Sequence, residues 1–253
     1  VKLRQEIVHG DGLLGLTALE PGSVSLVVSD PPWGATKAEW DEPLHWPTWW
    51  HAIDRALAAD GVLVVFASFR LGLEITPLAP RRRPFLYDLI WRKNRATQHL
   101  NARRKPLRAH EQLLVFGSRD RYTPQFTYGH KPMNAAIRVS KSTLYGRESV
   151  TTSNAGVTHR YQTSVLELDT VSNDTAARIH PTQKPVALMQ WIVRAYTAPG
   201  ELVADPTCGS GVLIQGARLE GRSAIGWETN ARFASKARAW LDGRDIPLLG
   251  GHR

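Results

Sequence analysis

Four consecutive residues, Asp30-Pro31-Pro32-Trp33, combine a carboxylate, two rigid turn formers and an indole. They follow Val24-Ser25-Leu26-Val27-Val28-Ser29, a short apolar run that reads as a buried strand. The two prolines lack N–H groups and have a fixed φ, so the turn they make is stiff and its carbonyls are aimed. The Asp30 carboxylate and a carbonyl of the same turn can together accept both protons of one planar amino group. Trp33 can stack on the ring that carries it. This is chemistry for an aromatic exocyclic amine, such as adenine N6 or cytosine N4. The plainer alternative for these four residues is a proline-rich turn beside a core tryptophan.

A second constellation narrows the choice. Leu202-Val203-Ala204-Asp205 reads as another buried strand running into Pro206-Thr207-Cys208-Gly209-Ser210-Gly211, and then into a helical stretch from Val212 to Glu220. A Gly-rich turn between strand and helix lets a ligand approach the backbone closely. Glu228 ends the next apolar run, Ser223 to Trp227. An acid in that place commonly holds ribose hydroxyls. The spacing is Gly-x-Gly, with no third Gly three residues on and no phosphate-binding Lys. A cofactor with adenosine but no phosphate therefore fits better than a dinucleotide or ATP.

With both motifs in view, the chain resembles the β-class DNA amino-methyltransferases, the N6-adenine/N4-cytosine family that uses S-adenosylmethionine. The resemblance rests on DPPW at 30–33, His180-Pro181-Thr182-Gln183-Lys184-Pro185, DPTCGSG at 205–211 and the upstream Gly10-Asp11-Gly12-Leu13-Leu14. It covers most of the chain, with a gap at 118–175. It implies an α/β class I methyltransferase fold, Rossmann-like and doubly wound, with a mostly parallel seven-stranded sheet in which one strand runs against the rest. It also implies a catalytic half at 1–117, a target-recognition insertion at 118–177 and a cofactor-binding half at 178–253.

The same resemblance assigns roles. Asp30, Pro31, Pro32 and Trp33 are the catalytic turn, acting on a base flipped out of double-stranded DNA. Asp205, Gly209 and Gly211 surround the methionine part of S-adenosylmethionine, with Pro206, Thr207 and Cys208 in the same loop. Glu228 takes the ribose hydroxyls, Asp11 faces the adenine ring, Lys184 lies near the cofactor carboxylate, and Asp30 borders the cofactor. Thr207 and Val212 stand where the family often has Phe and Thr. Cys208 lies in the cofactor loop, which points to packing under the cofactor and not to a nucleophile. The expected product is N6-methyladenine, because cytosine-N4 enzymes more often carry Ser at the first position of the tetrapeptide. N4-cytosine methylation stays open, as does an inactive DNA-binding protein on the same fold. RNA adenosine methylation shares DPPW but would leave the other motifs unexplained. A homodimer is an assembly the resemblance allows.

Composition agrees with a polyanionic partner. The chain has 253 residues, a net charge of +9 and 42% hydrophobic residues, with an isoelectric point near 10.0. Between 81 and 110 stand Arg81, Arg82, Arg83, Arg92, Lys93, Arg95, Arg103, Arg104, Lys105 and Arg108 against Asp88 alone. The stretch Arg92 to His110 reads as a long polar link between two strands. Arg92, Lys93, Arg95, Arg103, Arg104, Lys105 and Arg108 are its candidates for phosphate contact. No apolar run of about 18 residues stands out as a membrane span. No signal peptide is legible, and one cysteine cannot form an internal disulfide, so a cytoplasmic setting is expected. No Cys/His cluster suggests a metal.

The elements that must position these groups follow from apolar spacing. Strands are expected at Ile7–His9, Val24–Ser29, Val62–Phe66, Phe85–Trp91, Gln112–Phe116, Leu202–Ala204 and Ala224–Trp227. Helices are expected at Pro47–Ala59, Val186–Thr197, Val212–Glu220 and Ala231–Leu241. Trp46 and Trp50 share a helical face and read as core. From Ser118 to Ala177 apolar periodicity fades. Tyr122, Phe126, Tyr128, Arg138, Lys141, Tyr145, Arg147 and Arg160 are candidate DNA contacts there, against the alternative of a disordered insertion.

Overall fold

The computed structural model describes residues 3–34, 42, 44–140, 149–153, 155–171 and 178–243. In chain order its first elements are β1 (Gln5–His9), α1 (Gly12–Ala18), β2 (Val24–Ser29), α2 (Trp46–Ala56), β3 (Leu57–Ala67) and α3 (Phe69–Ile75). A hairpin of β4 (Phe85–Thr97) and β5 (Arg108–Gly117) follows, then the short strands β6 (Phe126–Thr127), β7 (Ala136–Ser140), β8 (Ser149–Ser153), β9 (Arg160–Tyr161) and β10 (Val165–Glu167). The chain ends through α4 (Val186–Tyr196), β11 (Leu202–Asp205), α5 (Val212–Leu219), β12 (Ser223–Glu228) and α6 (Ala231–Leu241).

The residues fall into two compact units, Val1–Thr123 with Ser164–Arg253, and Pro124–Thr163. The large unit is built on one sheet of order β1-β12-β11-β2-β3-β5-β4-β10. Only β5 runs antiparallel to its neighbours. The other pairings are parallel. The sheet has eight strands where seven were implied, because β10 pairs alongside β4 at the edge. All six residues of β2 are buried, as a strand covered on both faces requires. Strand β3 shows how the two faces are filled. Val62, Val64 and Phe66 join the core layer under α4, α5 and α6. Leu63, Val65 and Ala67 join the layer under α1, α2 and α3. The tryptophans of α2 belong to that second layer, with Trp49 at 5.1 Å from Trp50 and Trp50 at 5.1 Å from Phe116.

Three sequence expectations change here. Helix α2 stops at Ala56, and Leu57 to Gly61 enter β3 instead. The cause is Arg83, whose side chain is 1% exposed. It donates to the carbonyls of Leu57 (2.8 Å) and Ala59 (3.0 Å) and to Asp54 Oδ1 (3.1 Å). Arg82 pairs with Asp54 as well, at 2.7 Å. Two charges of the basic run thus belong to the scaffold. The link Arg92 to His110 is also shorter than expected, because β4 continues to Thr97 and β5 begins at Arg108. What remains between them is a tight apex with a 3-10 turn at His99–Asn101.

The small unit, 124–163, is shorter than the 118–177 stretch in which apolar periodicity fades. It holds two two-stranded sheets, β6–β9 and β7–β8. Arg160 ties it together by donating to the carbonyls of Val157 (3.0 Å), His159 (2.8 Å) and Lys131 (2.8 Å). Phe126 packs on Tyr161 and His159, each at 4.9 Å. Tyr122 lies in the large unit, 6.1 Å from Tyr196. Lys141, Tyr145, Arg147 and the side chain of Arg138 lie outside the described residues.

Candidate active site

Strands β11 and β2 are neighbours and parallel, yet the chain leaves them toward opposite edges of the sheet, β11 toward β12 and β2 toward β3. Their C-terminal ends meet where the strand order reverses. Open α/β sheets bind ligands there. A cleft of about 1030 Å³ lies at this place, lined by Asp30, Trp33, Asp205, Cys208, Gly209 and Glu228 among others.

The Gly loop forms one wall. Asp205 Oδ1 accepts from Thr207 N at 3.0 Å. Cys208 N donates to the Trp227 carbonyl at 2.8 Å. Glu228 accepts from Gly209 N at 3.1 Å and from Asn230 N at 2.7 Å, so it orders the loop it faces. Gly209 and Gly211 have φ of +50° and +74°, values that favour glycine. Helix α1 leans on the same loop, since a Cβ on Gly12 would stand 1.9 Å from the Pro206 carbonyl oxygen. Asp11 caps α1, its Oδ1 accepting from Leu13 N and Leu14 N at 2.8 and 2.9 Å. His180 packs on Phe233 at 4.4 Å. Burial, then the nearby Lys184 and Arg178, depress its pKa to about 4, so its ring is neutral at physiological pH.

Burial raises the Asp205 carboxyl to about 7, with smaller pushes from Asp30 and Glu228 against the pull of the Thr207 amide. Cys208 is 4% exposed. Burial, with Asp205 and Glu228 nearby, pushes its thiol well up. It is therefore a packing thiol and not a thiolate nucleophile.

The cleft is also lined by an ion-pair chain. Lys184 Nζ lies 2.5 Å from Asp30 Oδ2 and 3.2 Å from Glu111 Oε2. Lys93 Nζ lies 2.5 Å from Glu111 Oε1. Lys184 also sits 4.9 Å above the Phe66 ring. Its ammonium is held above its usual range because Asp30 and Glu111 outweigh burial. Burial raises Glu111 too, but Lys184 and Lys93 prevail and hold it low. Asp30 is raised, since burial, reinforced by Glu111, exceeds the pull of Lys184. Trp33 packs against both core layers, and the Arg108 guanidinium lies 5.3 Å from its ring centre.

Asp11, Asp30, Lys184, Glu228 and the loop 205–209 all line the cleft, as do Pro31, Pro32 and Trp33. Gly211 does not line it; it precedes α5, and a Cβ there would stand 2.6 Å from Ile7 Cδ1. Of the basic residues expected at phosphates, Lys93 is 9% exposed in its side chain and bound to Glu111. Arg92 pairs with Glu167 at 3.3 Å, Arg108 covers Trp33, and Arg95 lines the cleft. Arg103, Arg104 and Lys105 are exposed.

Glu111 is the site residue that motif reading missed. The motif acids Asp30, Asp205 and Glu228 stand at the C-terminal ends of strands. Because β5 is antiparallel, its beginning lies on the active edge. A lone acid just before the apolar run Gln112–Phe116 was the available signal. Among the described residues no group of His, Cys, Asp and Glu could hold a metal ion, and no helix is long and apolar enough to cross a membrane.

An acid-headed Pro-Pro turn and a Gly loop line one cleft. The family model described as DNA methylase, covering the N6 and N4 methylases, matches residues 24–239. The chain belongs to that family. Type II methyltransferase M1.MboII of Moraxella bovis is 27% identical over 248 residues, 91% of this methylase and 94% of that protein. The M1.HpyAVI–SAM complex shares the fold with a TM-score of 0.64 at 21% identity, over 94% of this chain and 98% of that one. The cytosine-N4-specific PvuII DNA methyltransferase does so with a TM-score of 0.61 at 17% identity, over 92% and 84%.

Proposed function

We propose that this methylase transfers a methyl group from S-adenosylmethionine to N6 of an adenine flipped out of double-stranded DNA. The observation that carries the reading is Asp30, an acid at the head of a stiff Pro-Pro turn, held by Lys184 and lining the same cleft as the Gly loop.

The residues fit the cofactor. The φ-positive Gly209 leaves the backbone open to close approach. Asp205 is a buried carboxylate without a cationic partner among the described residues, and its pKa near 7 suits a ligand that brings a positive charge. Asp205, the loop through Gly209, Glu228 and Asp11 would hold the cofactor. S-adenosylmethionine supplies a methyl group on a sulfonium, a good leaving group that needs neither metal nor covalent enzyme intermediate.

The protein's part is to prepare the amine. The lone pair of an adenine amino group is delocalised into the ring. Asp30 and a carbonyl of the Pro-Pro turn accept hydrogen bonds from its two N–H groups, which lets the nitrogen become more pyramidal and its lone pair point along the transfer path. Positioning and aimed dipoles supply the catalysis. Trp33, which lines the cleft, offers its ring to the flipped base. Because burial raises Asp30, its carboxylate is a suitable acceptor for the proton the methylated nitrogen sheds.

The fold does not choose between adenine and cytosine, since a cytosine-N4 enzyme shares it. The choice of adenine rests on Asp rather than Ser at position 30. Incubation with labelled S-adenosylmethionine and unmethylated DNA, followed by nucleoside analysis, tests it. N6-methyladenine is the expected product, and Asp30→Ala should abolish it while cofactor binding persists. N4-methylcytosine would replace the adenine reading. No incorporation despite intact cofactor binding would leave a DNA-binding protein.

A further inference from the structure

The β4–β5 hairpin carries a feature that methyl transfer itself does not use. Strand β4 is parallel to most of the sheet, so its turn into β5 lies on the same edge as the catalytic turn and the Gly loop. The hairpin continues past the sheet, with Thr97 paired to Arg108 beyond a register shift. Gln98 and His99, at the start of its apex, line the cleft. The next residue, Leu100, has 102% relative exposure, the highest among the exposed large hydrophobic residues described.

That apex is held in shape. Asn101 N donates to the Gln98 carbonyl at 2.9 Å, Ala102 N to His99 at 3.1 Å, and Arg104 N and Lys105 N to Asn101 at 2.8 and 3.0 Å. Gln98 has φ +69°, and it is the one non-glycine residue with positive φ among those described. Such a conformation is uncommon outside glycine and persists where the surroundings impose it. The exposed Arg103, Arg104 and Lys105 follow directly. An apolar side chain on a braced turn, next to three positive charges, matches a partner that is polyanionic outside and apolar within. A base-paired duplex has that character, with phosphates outside and stacked bases inside.

We infer that the hairpin is a wedge. Leu100 enters the base stack beside the target and fills the space the flipped nucleotide leaves, while Arg103, Arg104 and Lys105 hold the flanking phosphates. The inference rests on the proposed base flipping and names the element that performs it.

The test uses the full chain, wild type and Leu100→Ala, on two synthetic duplexes containing a site mapped by product analysis. In one the target base is paired. In the other it stands opposite an abasic position, so flipping is already favoured. Without the wedge the unstacking of a base step is no longer offset, so Leu100→Ala should lower kcat/KM on the paired duplex by about ten- to a hundredfold. The abasic duplex should restore most of that loss, and Leu100→Phe should keep activity on both. Equal loss on both duplexes, or no loss on either, would overturn the wedge. If the wild type methylates neither duplex, the methyltransfer reading fails first and takes the wedge with it. The Leu100 side chain is fully exposed, so an unchanged thermal midpoint in Leu100→Ala is expected and separates this effect from misfolding.

Discussion

Replacing Asp205 by Asn should stabilise the cofactor-free protein, and the gain should grow with pH. Asp205 is 6% exposed, and burial raises its carboxyl from 3.8 to about 7. Between those values the folded state holds a proton that the unfolded state has lost. Stability therefore falls as pH rises through the window from about 4 to 7. At about 1.36 kcal/mol per pKa unit, the full window corresponds to roughly 4 kcal/mol. Asn keeps an oxygen for the Thr207 amide, which donates to Oδ1 at 3.0 Å, and has no charge to desolvate. Wild type and variant should unfold together near pH 4 and diverge by about 10 °C at pH 8, given about 2–4 °C per kcal/mol for a protein of this size. Thermal unfolding of both at pH 4, 5, 6, 7 and 8, without cofactor, measures the divergence. Parallel curves would refute the reasoning. Calorimetric binding provides a second arm. S-adenosylmethionine, if its cationic end meets Asp205, should bind wild type about tenfold more tightly per pH unit up to about 7 and level off above. That slope should vanish in Asp205→Asn.

Lys184→Met removes the ammonium 2.5 Å from Asp30. Burial then acts on Asp30 without its main opposition, so the acid limb of the pH profile of kcat/KM should move to higher pH; an unmoved limb in folded protein would count against the Asp30–Lys184 coupling. Glu228→Ala should weaken cofactor binding about ten- to a hundredfold, since charge-assisted hydrogen bonds contribute roughly 1.5–3 kcal/mol; an unchanged dissociation constant by calorimetry would place the ribose elsewhere. Neutralising Arg103, Arg104 and Lys105 together should weaken binding to all DNA sequences and reduce the log–log salt slope by about 0.9 per lost phosphate contact. The thermal midpoint should barely move, because exposed charges contribute little to stability. An unaltered slope would assign the phosphates to other residues.

Much of the scaffold was legible because its signals are local. The extents of β2 and α6 are legible to the residue, since a short apolar run and a stretch with helical apolar spacing announce themselves along the chain. The β4–β5 apex was misread as a long link. Its flanks, up to Thr97 and from Arg108, carry many charges, and pairing across the hairpin, not apolar alternation, makes them strand. The end of α2 was misplaced because Arg83, distant in sequence, collects the carbonyls of Leu57 and Ala59.

The same division runs through the active site. Motif order and residue type alone assigned Asp30, the Gly loop and Glu228 to one nucleotide-type cleft, because each ends a strand and parallel strands share an edge. Only tertiary structure decided what each charge does. Lys184 comes from 154 positions away in the chain to meet Asp30. Glu111 reaches them because its strand alone runs backwards. Of ten basic residues read as one run, Arg83 and Lys93 became buried partners of acids, while Arg103, Arg104 and Lys105 stayed exposed. A sequence shows how many charges a segment carries. Whether a charge is paired in the interior or free at the surface depends on distance and desolvation, which exist only once the chain is folded.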